Sequence, residues 1–264
     1  NPYENKNSFS DLIHNKITAC CMELIPRISR AQSMDVLSSQ ANLSGYRSVI
    51  DAAEQFGKAF PMMMTAAGRV NPAKVMVLGV GVAGLQAIAT AKRLGAVVSA
   101  TDVRIATKEQ VESLGAKFIM VEDEEAQNAE TSGGYAKEMS EEYKQKQSQL
   151  IAETISKQDI VICTALIPGK PAPVLVSEEM INTMAPGSIV VDLAVEAGGN
   201  CPLSKLGEIV IHNSVKIIGH ANVPGRVAKD ASALYAKNIV NFLSLFIKKD
   251  EKKIDIDWND EIIN

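Results

Sequence analysis

The sequence predicts an α/β fold, a doubly wound parallel sheet with part of a second, truncated α/β lobe. Short apolar, β-rich runs alternate with helical stretches along most of the chain, which is typical of strands joined by helical crossovers. A glycine-rich turn joins one of these strands to a helix, and an acidic residue ends the next strand. The length of 264 residues, with 46% apolar and 22% charged residues, is sufficient for a large hydrophobic core.

The first strand of the sheet is predicted at Lys74–Leu78 and is followed by an Ala-rich helix that runs to Leu94. Gly95 ends that helix, and Ala96–Thr101 is the second strand, so the three elements form a right-handed, parallel βαβ unit. Further helices are predicted at Thr107–Leu114, Lys137–Ser156, Ser177–Met184 and Val227–Phe246, and further strands at Lys117–Val121, Asp159–Thr164, Ser188–Leu193 and Val215–Gly219.

The segments outside the sheet predict that the chain is divided into two domains. Residues 38–226 form a nucleotide-binding domain, and residues 1–37 with 227–264 form the remnant of the first lobe and a closing helix. A strand is predicted at Lys16–Met22, and a helix at Asn42–Phe60 leads into the sheet. The chain starts without Met or a signal peptide, which indicates an interior fragment. The polar insertion Glu122–Gly134 is either a mobile lid or a solvated connector.

Charge and cysteine usage exclude several classes of function. The net charge of −4, without a basic block, argues against a nucleic-acid partner. Cys20, Cys21, Cys163 and Cys201 show no metal-ligand spacing, so no metal is predicted, and they favour a reducing compartment. The apolar stretch Ile239–Ile247 is too short to cross a membrane, so the chain itself is predicted to have no transmembrane segment.

The strongest motif is Gly79-x-Gly81-x-x-Gly84, a Rossmann-type dinucleotide fingerprint placed between a strand and a helix. The glycines permit a tight turn, close approach of a pyrophosphate and close helix packing, and the helix N-terminus attracts the anion. Asp102, eighteen residues beyond Gly84, is positioned to accept hydrogen bonds from the adenosine ribose and favours NAD(H) over NADP(H). Arg104 weakens that preference, because it could receive a 2′-phosphate. The alternative is a glycine turn without a ligand.

A second candidate is the polar segment Arg27–Asp35, which contains two arginines, an amide, two hydroxyls and a carboxylate. Such groups could fix the carboxamide of a nicotinamide and so select one ring face. The alternative is a polar loop at a helix entry, with Asp35 and Ser38 as capping residues.

Long strings of the chain resemble the NAD(H)-binding component of the proton-translocating nicotinamide nucleotide transhydrogenases. The resemblance covers nearly the whole chain, in the strings Pro26–Asp35, Ser38–Arg47, Phe60–Gly68, Gly79–Gly84, Thr101–Arg104, Gly133–Met139, Ala165–Pro173 and Asp192–Pro202.

This resemblance implies a two-lobed, homodimeric component that docks on an NADP(H)-binding component and passes hydride directly between the two nicotinamides. It also implies membrane-spanning partners and a place on the cytoplasmic or matrix face of an energy-coupling membrane. Arg27, Gln32, Asp35 and Ser38 match residues that hold the nicotinamide, and Gly134, Tyr135 and Met139 match a loop that closes over the nucleotide. The full set of predicted cofactor contacts is Arg27, Ile28, Ser29, Gln32, Ser33, Met34, Asp35, Gly79, Val80, Gly81, Val82, Gly84, Asp102, Val103, Arg104, Gly134, Gln147, Ala165, Leu166 and Asn222.

Two alternatives stay open. Asp192-Leu-Ala and Asn222-Val-Pro224 also resemble alanine dehydrogenase, although the Arg27–Asp35 string is absent from that family, and a nucleotide-binding module without catalysis is the other alternative. Asp192 and Glu196 could form an acid/base pair, but a positioning role is favoured for Asp192, and Lys170 is predicted to be solvated. His14, His212 and His220 show no partner pattern. Hydride transfer between nicotinamides needs no general base.

Overall fold

The computed structural model describes residues 8–121, 140–166, 169–248 and 253–263. The described chain divides into two compact units. The larger unit comprises Asn42–Val223, and the smaller unit comprises the residues up to Ala41 and those from Pro224 onward. Each unit is described by itself below.

The larger unit is built on a seven-stranded sheet and a separate two-stranded hairpin. Its strands are β1 Met63–Thr65, β2 Gly68–Val70, β3 Lys74–Leu78, β4 Val97–Thr101, β5 Lys117–Phe118, β6 Ile160–Cys163, β7 Ile189–Asp192, β8 Ile209–His212 and β9 Val215–Ile218. The order across the sheet is β5-β4-β3-β6-β7-β9-β8. Adjacent strands are parallel except for β8, which pairs antiparallel with β9 at one edge. The predicted α/β class and the doubly wound parallel sheet are therefore confirmed.

The helices of the described chain are α1 Ser8–His14, α2 Val36–Gln55, α3 Val82–Arg93, α4 Lys108–Ser113, α5 Glu141–Ile155, α6 Glu178–Thr183 and α7 Ala228–Leu243. In β3 the side chains alternate between two hydrophobic clusters, one on each face of the sheet. Val75 and Val77 belong to the cluster that contains α3 residues such as Ile88. Met76 and Leu78 belong to the other cluster, with Ile155 of α5 among its members. Helices therefore cover both faces, which is why the central strands are almost continuously apolar.

Several predicted boundaries shift. The helix predicted at Asn42–Phe60 begins at Val36 and ends at Gln55. Its start moves because the carboxylate of Asp35 accepts a hydrogen bond from the backbone N–H of Ser38 at 2.8 Å, which is the geometry of a helix cap. At its other end, Phe56 and Phe60 leave the helix and pack edge to face as part of the core. The closing helix α7 also starts one residue later and ends three residues earlier than predicted, and a 3₁₀ turn precedes it.

The strand predicted at Lys16–Met22 is wrong. Lys16 has a left-handed backbone with φ of 55°, the residues after it have no regular structure, and a 3₁₀ turn begins at Met22. Ile17 is exposed, so this apolar run finds no sheet in the described chain to join. The hairpin β1–β2 and the edge strand β8 were not predicted. Asn213 and Ser214, both with positive φ, form the tight turn between β8 and β9.

The smaller unit has its own hydrophobic cluster, which brings the segment before α2 together with α7 and the last described residues. Ala31 and Met34 lie in a 3₁₀ helix at Ser29–Met34 and are buried there against residues that include Phe242. Strands β10 Ile247–Lys248 and β11 Lys253–Ile254 pair antiparallel in the same unit. Within the described ranges, no helix is both long and apolar enough to span a lipid bilayer.

Candidate functional site

The glycine turn after β3 is held by the ends of the two neighbouring strands. The backbone N–H of Gly79 donates to the carbonyl of Thr101 at 2.9 Å, and the hydroxyl of Thr164 donates to the carbonyl of Gly79 at 2.8 Å. Gly79 has φ of +95°, a conformation that favours glycine, and a Cβ at this position would also lie 2.9 Å from the Thr164 hydroxyl. At Gly84 a Cβ would collide with the carbonyl oxygen of Gly79. Both glycines are therefore required by the protein itself.

Gly81 differs from these two glycines. Its φ of −83° and ψ of −166° are open to any residue, and a Cβ placed on it meets no atom of the described residues within 4 Å. Gly81 is also the N-cap of α3, where among the described residues no side chain caps the first turn. A helix N-terminus in this state presents backbone N–H groups and positive electrostatic potential to an anion. The open space over Gly81 lets a ligand reach them.

Asp102 follows β4 and carries the negative charge of the site. Its carboxylate accepts hydrogen bonds from the backbone N–H of Val80 at 2.6 Å and of Arg104 at 2.8 Å. The Arg104 guanidinium binds it as well, at 2.9 Å from Nε and 3.0 Å from Nη2. Burial is the largest single influence and raises the pKa of Asp102, but the hydrogen bonds from Arg104 and Val80 together outweigh it and hold the pKa below its ordinary value. Asp102 is ionised at neutral pH.

The loop after β6 reaches the same edge of the sheet and is fastened by Asn200, which the sequence did not single out. The Asn200 side chain is fully buried; it donates to the carbonyls of Ala165 at 2.9 Å and Pro173 at 2.7 Å and accepts from the N–H of Ala165 at 3.2 Å. Leu166, a predicted cofactor contact, follows directly and is 55% exposed. The sequence places Asn200 inside the string Asp192–Pro202 and directly after the pair Gly198-Gly199, and both of these glycines have positive φ in the structure. Lys170 in this loop is exposed, as predicted.

Asp192, at the end of β7, is enclosed by its own loop. Its carboxylate accepts from the backbone N–H of Ala194 and of Cys201, each at 3.0 Å, and from the Ser204 hydroxyl at 2.7 Å. Only 1% of the residue is exposed. Glu196, by contrast, is exposed and accepts from the backbone N–H of Asn222. Asp192 and Glu196, the two members of the acid/base alternative, therefore bind different donors. Asp192 holds the loop after β7 in place.

The side-chain amide of Gln147, a predicted nucleotide contact on α5, makes its hydrogen bonds to groups of the protein. Its oxygen accepts from the N–H of Val121 at 2.8 Å, and its nitrogen donates to the Thr101 hydroxyl and to the carbonyl of Ile119, both at 3.2 Å. The side chain thus ties the ends of β4 and β5 together beside Asp102. Gly134, Tyr135 and Met139 lie outside the described residues. Val103 and Asn222 are exposed, the latter with φ of 44°.

The segment Arg27–Asp35 belongs to the smaller unit and separates into anchored and exposed residues. Ala31 and Met34 are buried, and the carbonyl of Ser33 accepts from the side chains of Asn238 and Asn241. The guanidinium of Arg30 pairs with the carboxylate of Asp260. Other predicted contacts are exposed or half-buried: Arg27, Ile28, Ser29 and Gln32.

Asp35 is a helix cap in this structure. Besides the backbone N–H of Ser38, its carboxylate accepts from the Ser38 hydroxyl at 2.6 Å. Asp35 and Ser38 therefore interact as the capping alternative predicts. Their contact with a nicotinamide stays a prediction.

His212 lies on the edge strand β8, near Asn182 and Glu178. In the described ranges, no group of three or more histidine, cysteine or acidic side chains is placed to hold a metal ion.

Sequence comparison gives two family matches. The description "Alanine dehydrogenase/PNT, C-terminal domain" matches residues 48–264, and "Alanine dehydrogenase/PNT, N-terminal domain" matches residues 1–44. An NAD(P) transhydrogenase subunit alpha, in its first part, from Rhodospirillum rubrum is 66% identical over 253 residues, which are 96% of this chain and 66% of that protein. The chain thus spans about two thirds of the length of this curated relative.

Solved structures agree with these matches. A crystal structure of transhydrogenase from Sinorhizobium meliloti superposes with a TM-score of 0.89 at 56% identity, covering 99% of this chain and 69% of that one. An L-alanine dehydrogenase superposes with a TM-score of 0.72 at 22% identity, covering 92% of this chain and 63% of that one, which indicates a shared fold.

Proposed function

This chain belongs to the alanine dehydrogenase/PNT family, and on that premise we propose that it is the NAD(H)-binding part of a proton-translocating NAD(P) transhydrogenase. In this proposal it holds NAD(H), and a partner component holds NADP(H). Other subunits are in keeping with the name "subunit alpha" of its relatives. The proposal also includes a homodimer, membrane-spanning partners and a place on the cytoplasmic or matrix face of the membrane.

The observation that carries the proposal is the glycine at position 81. The backbone angles of Gly81 suit any residue and the space above it is open, so a glycine here serves something other than the packing of this chain. A pyrophosphate needs this absence of a side chain to reach the N–H groups at the start of α3. The ionised Asp102 stands at the next strand end, where it can accept from the two ribose hydroxyls of NAD(H).

The nicotinamide would be held by the exposed groups of the smaller unit. Arg27 offers donors and Gln32 offers both a donor and an acceptor, which match the oxygen and the NH₂ of a carboxamide. The buried neighbours Ala31 and Met34 anchor the backbone of the 3₁₀ helix Ser29–Met34, so the Gln32 side chain projects from a packed base. Asp35 and Ser38 would add to this site from the start of α2.

Positioning is the proposed source of catalysis. When hydride passes between two nicotinamides, a C–H bond at C4 of one ring breaks, its electron pair goes with the hydrogen, and a C–H bond forms at C4 of the other ring. No proton changes hands, so the residues of this chain need only bind, orient the ring and exclude water. The enclosed state of Asp192 suits this scheme, because a carboxylate that is 1% exposed and bonded to three fixed donors is not available as a general base.

The direct test mixes this chain with a purified NADP(H)-binding component and follows reduction of an oxidised NAD analogue by NADPH. We expect turnover that needs both proteins. Alanine with NAD serves as the second substrate pair, and turnover of alanine by this chain alone would place it with the amino-acid dehydrogenases. Nucleotide binding without turnover in either assay would favour a binding module.

A Gln32→Asn variant tests the orienting role. Shortening the side chain by one methylene should slow transfer about tenfold or more while the Kd for NADH changes little, because orientation is lost and binding is retained. Gln110→Asn, at an exposed glutamine of α4, is the matched control and should change neither quantity. Equal losses in rate and affinity for Gln32→Asn would remove the orienting role.

A further inference from the structure

The guanidinium of Arg104 occupies the part of Asp102 that a ribose would need. An ionised carboxylate accepts about four hydrogen bonds, roughly two at each oxygen. Oδ1 accepts from the backbone N–H and from Nε of Arg104, and Oδ2 accepts from the N–H of Val80 and from Nη2 of Arg104. The acceptor capacity of the carboxylate is therefore used up by the protein.

The four donors are not equally fixed. The N–H of Val80 is part of the buried turn that follows β3, and the N–H of Arg104 belongs to the backbone that begins the 3₁₀ turn Ile105–Thr107. The guanidinium is different, since 50% of the Arg104 side chain is exposed, and its further contact, from Nη2 to the carbonyl of Val80, is long at 3.3 Å. The Asp102 side chain is only 6% exposed, but water reaches the guanidinium, which weakens the pair. Of the four donors, the guanidinium is the one that a ligand can displace.

We propose that Arg104 determines the nucleotide specificity of the adenosine site: the ribose hydroxyls of NAD(H) displace its guanidinium from Asp102, and the displaced guanidinium weakens the rejection of a 2′-phosphate. The inference rests on the proposed function, because it needs the adenosine ribose to bind at Asp102. The usual rule treats the acid that binds the ribose of NAD(H) and the arginine that receives a 2′-phosphate as separate determinants. Here the acid and the arginine form one neutral unit.

The two nucleotides meet this unit differently. Two ribose hydroxyls take over the acceptor positions vacated by Nε and Nη2, so NAD(H) competes with the arginine and binds less tightly than it would to Asp102 alone. A 2′-phosphate meets the carboxylate as a repelling charge and the nearby guanidinium as a charge-assisted donor. Removing the guanidinium should therefore strengthen binding of NADH and weaken binding of NADPH.

The experiment measures the Kd of the 264-residue chain for NADH and for NADPH at low ionic strength, for the wild type and for Arg104→Ala. We expect NADH to bind about threefold more tightly, NADPH about threefold more weakly, and the ratio of the two Kd values to change about tenfold. Arg104→Gln, which keeps donors but removes the charge, should weaken NADPH binding with a smaller gain for NADH. Arg93→Ala removes the same charge from an exposed position at the far end of α3 and should leave the ratio unchanged.

Two results would overturn the inference. An unchanged ratio in Arg104→Ala would mean that the guanidinium does not act on the 2′ position. Equal weakening of both nucleotides would mean that Arg104 is a ligand for a part they share. Asp102→Asn separates these failures from a failure of the proposed function: if that variant binds NADH as the wild type does, the adenosine site itself lies elsewhere, whereas weakened binding keeps the site and rejects only the role of Arg104.

Discussion

Two aspartates, Asp102 and Asp192, stand at the carboxyl edge of the same sheet, after β4 and at the end of β7, and they differ in the kind of donor that each carboxylate accepts. At Asp102 the side-chain donor is the half-exposed guanidinium of Arg104. At Asp192 the donors are two backbone N–H groups and the hydroxyl of Ser204, within a loop whose Gly199 has no room for a Cβ beside that carboxylate and hydroxyl.

This difference distinguishes a binding group from a structural one. Ligands of parallel α/β sheets bind at the carboxyl edge, so position alone makes both aspartates candidates. A ligand can displace a donor that water can also reach, but it cannot displace donors that the fold holds in place. By this criterion Asp102 is the group that can contact a nucleotide, and Asp192 stabilises the loop beside it.

The largest expected effect is on stability, in Asp192→Ala. The substitution leaves two backbone N–H groups and a hydroxyl without their acceptor in a site that is 1% exposed, so the free energy of unfolding should fall by about 3–5 kcal/mol. Chemical denaturation measures this loss. Asp102→Ala is the matched variant and should lose about 1–2 kcal/mol, because it leaves the buried N–H of Val80 without its acceptor but releases a guanidinium that is half exposed. Equal losses of unfolding free energy in the two variants would contradict the assignment of Asp192 as structural and Asp102 as a binding group.

Asn200→Ala removes the amide by which the loop after β7 fastens the loop after β6. The carbonyls of Ala165 and Pro173 lose their donor, and we expect a loss of about 2–3 kcal/mol in the free energy of unfolding. Because this amide fastens the loop that carries Leu166, the affinity for NADH should fall as well. Thr183→Ala, which removes an exposed hydroxyl bonded to the carbonyl of Met180, is the control and should change neither quantity. A destabilised variant that keeps the NADH affinity of the wild type would disconnect this loop from the nucleotide.

Nucleotide affinity responds most to Asp102. Asp102→Ala removes the acceptor for both ribose hydroxyls, and the Kd for NADH should rise by about 10-fold to 100-fold, the equivalent of about 1.4–2.8 kcal/mol. Fluorescence titration with NADH measures it. Asp192→Asn, tested at a temperature where it remains folded, should have a Kd for NADH closer to that of the wild type than Asp102→Ala has. An unchanged affinity in Asp102→Ala would show that the ribose is held by other groups.

The sheet and the glycine turn were predictable because local patterns determine them. The strand Lys74–Leu78 was predicted to the residue, since its apolar run is bounded by a lysine and a glycine. The strand at Lys16–Met22 was wrong because an apolar run becomes a strand only where another strand pairs with it, and sequence pattern does not supply that partner.

The residues of the candidate site also separate into those that a local motif predicts and those that only the structure shows. Gly79, Gly81, Gly84 and Asp102 follow from the spacing of a motif with a known physical basis. The roles of Asn200 and Thr164 depend on hydrogen bonds between segments 35 and 85 residues apart, which no local pattern encodes. Arg104 and Asp102, by contrast, are only two residues apart. Even so, only the structure shows that the guanidinium takes up the remaining hydrogen-bond positions of the carboxylate.

The smallest expected effect is the dependence of stability on pH. The pKa of Asp102 lies below its ordinary value of 3.8, so its interactions stabilise the fold above that value and are lost as the pH falls through the lower, folded pKa. Arg104→Ala removes the main side-chain bond that lowers this pKa, so the variant should lose less stability than the wild type between about pH 5 and pH 3. The difference should stay below about 1 kcal/mol because the Arg104 side chain is half exposed. Denaturation curves across this range measure it. Parallel curves for the two proteins would mean that Arg104 does not hold Asp102 in solution, and the exchange of guanidinium for ribose would lose its basis.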